Sequence, residues 1–279
     1  MKPINHLYVH VPFCKNKCDY CAFYSCPSPN LSLIEGYTEK LAGDIKKSAN
    51  DTGELNSIFI GGGTPSYLSS NQIKKIFELL FNKFTISKNA EITIECNPES
   101  LSMDKINVIS DYVNRVSLGI QSFSKEKRKI LGRQGSLKNI EKTISAFIEK
   151  GIKNLSTDLI YGIPGQTLKD WEEELNQALL FPFKHLSAYS LTYEEGTKLS
   201  EKHQTVNNEE DLSSEMWEQT KNIIKAKNFH RYEISNYAIP GYECRHNLNT
   251  WFGGSYIGLG PVASSFNKIQ RWTNPHIGE

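Results

Sequence analysis

Cys14, Cys18 and Cys21 form a C-x3-C-x2-C array inside the run His10–Cys26, HVPFCKNKCDYCAFYSC, just after the short apolar run Leu7–Val11. Thiolates are the ligands of iron–sulfur clusters, and a cubane of four irons normally takes four of them. Three closely spaced thiolates would hold three irons and leave the fourth open to another molecule, which makes such a cluster a reagent as well as an electron store. The competing reading is a zinc site completed by Cys26, because four thiolates also suit tetrahedral zinc. Structural zinc sites usually come as two C-x2–4-C pairs set well apart, whereas here the cysteines crowd into one loop. Two further features lie close by: Tyr20 directly precedes the third cysteine, and Gly61-Gly62-Gly63-Thr64-Pro65 closes the next strand-like run. The glycine run lacks the lysine of G-x4-G-K-[ST], so it is not a nucleotide triphosphate loop.

These residues need a scaffold, and strand-like and helix-like patterns alternate along the chain. Strands are expected at Leu7–Val11, Ser57–Ile60, Glu91–Cys96, Arg115–Ile120, Leu155–Ile160 and Leu186–Leu191. Between them fall amphipathic helices. One follows a capping box at Ser32 and Glu35 and bears Ile34, Tyr37, Leu41 and Ile45. The next follows a box at Ser69 and Gln72, with a core-facing stripe of Ile73, Ile76, Phe77, Leu80, Phe81 and Phe84. Others span about Ser102–Tyr112, the stripe Ile140, Ile144, Phe147 and Ile148 ending at Gly151, and a helix capped by Thr167 and Asp170 that bears Trp171, Leu175 and Leu179. Six β/α units in succession imply parallel strands wrapped by helices. The fold expected is an α/β partial (β/α)6 barrel, TIM-like and open on one side, with a small C-terminal α+β extension. The division falls at residues 1–197 and 198–279.

Cys14, Gly61–Gly63, Glu95, Gln121, Asp158 and Thr192 all fall at, or just beyond, the C-terminal ends of successive strands. That rim is where β/α barrels bind ligands. Taken singly, each polar residue would be read as a strand-end hydrogen bond; their shared rim favours a site. The extension is expected to hold a polar helix over Glu209–Lys227 with a thin stripe of Leu212, Met216, Ile223 and Ile224, one extra strand over Arg231–Tyr237, and a glycine-rich run Gly253–Gly260.

The composition is that of a soluble protein with a substantial core, 38% apolar and 23% charged. A formal charge of +1 gives no bulk attraction to nucleic acid or an anionic membrane. No apolar stretch approaches the ~18 residues of a bilayer span. The N-terminus has no basic region leading into an apolar one, so no signal peptide is read there. Six cysteines, three of them clustered, point to the reducing cytoplasm rather than to a disulfide framework. Cys96 is expected to be a packed, inert thiol.

The cysteine array, Tyr20 and the GGGTP run together resemble the radical S-adenosylmethionine (SAM) superfamily, whose members bind SAM on the open iron. Over about Leu7–Trp272 the chain is similar to the oxygen-independent coproporphyrinogen III oxidase family, in its HemW-type haem chaperone branch. The shared runs are LYVHVPFCKNKCDYCAF, GGGTPS, ECNPES, RVSLGIQSF, LGR, DLIYGIPGQT, LSAYSLTYEEGT, RYEISNYA and CRHNLNTW. The resemblance implies a [4Fe–4S] cluster on Cys14, Cys18 and Cys21. It implies SAM held among Tyr8, Tyr20, Gly62, Gly63, Thr64, Glu95, Gln121, Arg133, Asp158 and Thr192. Within that set, glycines allow close backbone approach to the SAM amino group. Glu95 suits ribose hydroxyls, and Arg133 the methionyl carboxylate.

Two features separate the branches. The oxidase has a further cysteine where this chain has Phe23, and an N-terminal extension where only six residues precede Leu7. The chaperone branch has a histidine–asparagine motif, matched by His246-Asn247 and Trp251, which implies haem contact at His246. Neutral imidazole is a common axial ligand of haem iron; a structural histidine is the other reading. No C-x2-C-H is present for covalent attachment. Thr250 stands for a usual tyrosine, Val262 for a glycine and Ser264 for a histidine, and the family continues into a further C-terminal domain. The function expected is that of a haem chaperone delivering haem to acceptors such as respiratory enzymes. The alternative is a coproporphyrinogen III dehydrogenase, which decarboxylates propionate side chains by a radical route.

Overall fold

The computed structural model describes residues 3–202 and 209–277. In chain order the strands and helices open with β1 Ile4–Val11, β2 Phe13–Cys14, β3 Cys26–Pro27, α1 Leu31–Ser48, β4 Thr52–Gly62, α2 Ser70–Lys83, β5 Ile86–Cys96 and α3 Met103–Tyr112. They continue with β6 Arg115–Gln121, α4 Lys125–Ile130, α5 Leu137–Glu149, β7 Asn154–Tyr161, α6 Leu168–Leu179, β8 His185–Ser190 and α7 Lys198–Lys202. The last elements are α8 Glu209–Lys225, β9 His230–Arg231, β10 Asn236–Ala238, α9 Arg245–Trp251, β11 Ile257–Leu259, β12 Ser264–Phe266 and β13 Arg271–Thr273.

One nine-stranded sheet runs β11-β1-β4-β5-β6-β7-β8-β10-β9. Its first seven members are parallel, and β10 and β9 add antiparallel at one edge. The two edge strands, β11 and β9, do not pair with each other, so the ring stays open among the described residues. The six β/α units lie where the alternation of the sequence sets them.

Strand alternation explains why the interior can host chemistry. Leu7, Val9, Ile58, Ile60, Ile94, Val116, Leu118, Leu155, Leu159 and Leu186 are buried in the main apolar core. The intervening positions are polar and bond across neighbouring strands: His6 to Ser57, Ser117 to Asp158, Ser156 to His185, and Ser187 to Asn236. Because successive side chains point to opposite faces, one face is apolar and the other a polar lumen.

Helix ends follow their capping residues. Ser69 with Gln72 and Thr167 with Asp170 form complete capping boxes. At α1 the structure corrects the expectation: the helix begins earlier, and the Asn30 side chain accepts from Leu33 N at 2.8 Å, leaving Ser32 inside the first turn. Asparagine's short carboxamide reaches the N3 amide as serine's hydroxyl would, so either residue fits the role. Phe81 and Ile148, both placed in the expected core stripes, prove partly exposed, while Phe84 at the end of the first stripe is buried. Phe81 lies edge-on to Tyr112, at the margin of the layer. Trp171 is wholly buried between α6 and α8, its Nε1 donating to Thr220 Oγ1 at 2.8 Å and to the Met216 carbonyl at 3.1 Å.

The extension differs more. The single strand expected at Arg231–Tyr237 is a hairpin of β9 and β10, because the Glu233 carboxylate accepts from Ser235 N and Asn236 Nδ2 and closes a turn between them. The glycine-rich run contains β11, which pairs in parallel with β1 and so joins the main sheet. No helix among the described residues is long and apolar enough to cross a membrane.

Candidate functional site

The cysteine loop leaves the end of β1 and is closed at its base. Phe13–Cys14 pairs with Cys26–Pro27, and Cys26 N donates to the Pro12 carbonyl at 2.6 Å. The end of β4 runs alongside: Gly63 N donates to Val11 O at 2.8 Å and Thr64 N to Phe13 O at 2.7 Å. This close approach needs glycine, since a Cβ on Gly63 would stand 2.8 Å from the Phe13 carbonyl oxygen. Gly62 adopts φ +110°, and the His10 ring fills the space its Cβ would take. Far along the chain, the loop after α4 and helix α7 fasten the other side. Asp19 N donates to Leu131 O at 3.1 Å, Leu199 N to Asp19 O at 2.8 Å, and Lys202 pairs with the Asp19 carboxylate at 3.0 Å.

Above the C-terminal strand ends lies a cavity of about 480 Å³, within the usual range of small-molecule sites. Cys14, Cys18, Cys21, Tyr20, Gly62, Gly63, Thr64, Glu95, Gln121, Arg133, Asp158 and Thr192 all line it. Cys26 does not: its thiol turns to the Tyr24 hydroxyl at 3.9 Å. Among the described residues no three His, Cys, Asp or Glu side chains converge closely enough to hold one metal ion. A cubane asks each thiolate for a different iron, so thiols spread around one wall suit it better than they suit tetrahedral zinc.

The rim residues have distinct environments. A register shift between Gly119 and Gln121 interrupts the β6–β7 ladder, and Gln121 itself sits at φ +70°. Such bulges re-aim side chains beside functional sites. Arg133 is deeply enclosed; its Nη2 donates to the Gly119 carbonyl and its Nη1 to Cys18 Sγ at 3.8 Å, while Nε has no partner among the described residues. A guanidinium with an unfilled donor, on a residue that lines this cavity, fits an incoming carboxylate. The Gly62 amide donates to Glu95 Oε2 at 3.2 Å. Burial first, and then the nearby Asp158 carboxylate, push the Glu95 carboxyl up to about 8 against that pull. Asp158 is also raised by burial, although Ser187 and Ser117 draw it down. Burial raises the Cys14 and Cys21 thiols as well.

Two of the residues singled out from the sequence stand elsewhere. Tyr8 lies a layer below the cavity, its hydroxyl 3.0 Å from His10 Nδ1 and its ring stacked with Phe59. His246 is 6% exposed near the floor of the lumen. Its Nδ1 lies 2.9 Å from Ser57 Oγ, and its ring packs 5.3 Å from that of Phe59. The Glu91 carboxylate accepts from His246 N at 3.1 Å and Arg245 N at 3.2 Å, capping α9 from within the barrel. Burial lowers the His246 pKa to about 3, so the imidazole is neutral.

Sequence reasoning missed Tyr189, Asn97 and Gly119, which also line the cavity. Tyr189 shares the inward parity of Ser187, and that period is the signal that could have found it. It also missed Glu174, which shapes the turn between Gln121 and α4. Its buried carboxylate accepts from Ser122 Oγ at 2.5 Å, Phe123 N at 2.6 Å and Ser124 N at 3.0 Å. Buried Arg128 binds the Ser122 and Phe123 carbonyls of the same turn, each at 2.8 Å. Glu174→Ala strands these donors and is expected to lower stability by about 3 kcal/mol, read as a fall in urea midpoint with an unchanged m-value.

The fold and cavity are those of one superfamily, whose sequence model, "Radical SAM superfamily", matches residues 8–178. The solved structure "Coproporphyrinogen III oxidase (HemN) from Escherichia coli is a Radical SAM enzyme" superposes with a TM-score of 0.85 at 22% identity, over 98% of this chain and 67% of that one. Membership of the superfamily implies a [4Fe–4S] cluster and SAM. Within it the chain belongs to the HemW family. It is 38% identical to "Heme chaperone HemW" of Buchnera aphidicola subsp. Schizaphis graminum, over 96% of its own length and 71% of that relative. It is 35% identical to the HemW of Bacillus subtilis, over 96% of its own length and 72% of that relative.

Proposed function

We propose that this protein is a haem chaperone of radical-SAM type, which binds a [4Fe–4S] cluster, SAM and haem in the cytoplasm and delivers haem to acceptors such as respiratory enzymes. The supporting observation is one cavity lined by Cys14, Cys18 and Cys21 together with the buried Arg133 guanidinium, which reaches Cys18 Sγ, in a chain of the HemW family. Cys14, Cys18 and Cys21 hold the cluster. The Arg133 guanidinium pairs with the methionyl carboxylate, and Glu95 takes the ribose hydroxyls. The glycine edge, Thr64, Gln121, Asp158 and Thr192 enclose the rest, with Tyr20 behind the loop and Tyr8 supporting His10 from beneath. Bound there, cluster and SAM supply one-electron chemistry at a sulfonium. Residues 1–197 form the core that carries this site, and 198–279 the extension that carries the haem motif.

For haem, His246 is the proposed ligand. Its imidazole must first leave Ser57, and α9 must release Glu91. The other end of α9 is already open, with Trp251 45% and Phe252 84% exposed. Haem titration of anaerobically reconstituted protein is expected to give a Soret shift that His246→Ala weakens. No shift with the parent protein, or conversion of coproporphyrinogen to protoporphyrinogen with SAM and reductant, overturns this reading in favour of the oxidase.

Glu95 gives SAM binding a pH dependence. Its carboxyl, raised to about 8, is largely neutral at pH 7 in the SAM-free protein. Only the ionised form accepts both ribose hydroxyls and attracts the sulfonium, so SAM affinity is expected to rise between pH 7 and 9. The same raised pKa acts on stability with the opposite sign: the folded state holds a proton that the unfolded chain releases near 4.5, so SAM-free protein loses stability as pH climbs towards about 8. Dialysis with labelled SAM across that range, with Glu95→Gln abolishing the pH slope, checks it.

A further inference from the structure

Every thiol of the cysteine loop already has a protein donor beside it. Thr64 Oγ1 lies 3.4 Å from Cys14 Sγ. Arg133 Nη1 lies 3.8 Å from Cys18 Sγ. The Phe23 backbone bonds to Cys21 and pulls its thiol down against burial.

Thr64 is the donor whose placement is most firmly built. Its own amide is fixed to the Phe13 carbonyl at 2.7 Å, one residue before Cys14. Gly63 allows that approach because no Cβ intervenes. In the free thiol either sulfur or hydroxyl could donate. Once Cys14 is a metal-bound thiolate it has no proton, so the hydroxyl must be the donor. A hydrogen bond into a ligating sulfur withdraws electron density and favours the more negative, reduced cluster.

We propose that the Thr64 side chain is a positioning residue for the cluster, donating to the Cys14 thiolate and raising the cluster's reduction potential. This inference rests on the cluster assignment above and extends it: the threonine of the glycine edge serves the iron side of the cavity through its hydroxyl, while its backbone shapes the SAM side.

The test is a dye-mediated dithionite titration of reconstituted holoprotein without SAM, followed by EPR, on wild type, Thr64→Val and Thr64→Ser. Valine keeps the shape and loses the donor, whereas serine keeps the donor. The expected result is a midpoint shifted to more negative potential in Thr64→Val, restored towards wild type in Thr64→Ser, at equal iron and sulfide content. Equal midpoints in all three proteins overturn the inference while leaving the cluster reading standing; absence of a cluster from wild type overturns that reading instead. Should Thr64→Val not assemble a cluster, Thr64→Ala removes the same donor and is judged by the same two outcomes. A merely structural role for Thr64 would change cluster yield or thermal stability and leave the potential where it was.

Discussion

Replacing Cys14, Cys18 or Cys21 singly with serine is expected to cut bound iron and sulfide at least tenfold, while Cys26→Ser keeps both. The contrast follows from position. The first three thiols line the cavity wall, whereas Cys26 lies outside it in β3, beside the Tyr24 hydroxyl. Serine's hydroxyl stays protonated near neutral pH and is a poor partner for soft iron–sulfur chemistry. Fold stability should change little, because the loop is held by backbone bonds at its base and by Asp19 at its far side. Iron and acid-labile sulfide assays on anaerobically reconstituted variants decide it. Equal losses from Cys26→Ser would mean that four thiols act together and would restore the zinc alternative.

Arg133→Met is expected to weaken SAM binding by about 10- to 100-fold, equivalent to roughly 1.5–3 kcal/mol for a lost charge-assisted hydrogen bond. Methionine occupies a similar length and leaves the surrounding packing filled. It removes the unpartnered Nε together with the donors to Cys18 and to the Gly119 carbonyl. Arg133→Lys should recover only part of the loss, because an ammonium cannot present the planar pair of donors a carboxylate prefers. The cluster should survive, since its three thiolates are untouched. Equilibrium dialysis with labelled SAM measures the change, and a dissociation constant equal to wild type would remove Arg133 from the SAM site.

Much of the fold was legible because local signals and burial agree. Apolar runs mark the parallel strands, and complete capping boxes at Ser69 and Thr167 mark helix starts. The rim was legible for a geometric reason: a polar residue at a strand's C-terminal end must stand near the barrel mouth whatever the details of packing. Depth was not legible. Tyr8 and His10 share a strand face, but one pleat separates them along β1, and that spacing leaves Tyr8 beneath the cavity. The burial of His246 was not legible for a different reason, since it depends on Glu91 and Ser57, brought to it only by the folded sheet. The strand at Ile257–Leu259 was hidden among glycines and exists through its pairing with β1. The hairpin at residues 230–238 likewise depends on Glu233 closing a turn that no glycine or proline announces.

The most direct measurement is Mössbauer spectroscopy of protein reconstituted with iron-57, recorded before and after SAM is added. The expected result is a cubane in which a single iron site changes its isomer shift and quadrupole splitting on SAM binding, because that site alone lacks a cysteine. A spectrum without a cubane, or one that SAM leaves unchanged, would contradict the assignment of Cys14, Cys18 and Cys21 as the holders of an open-sited cluster.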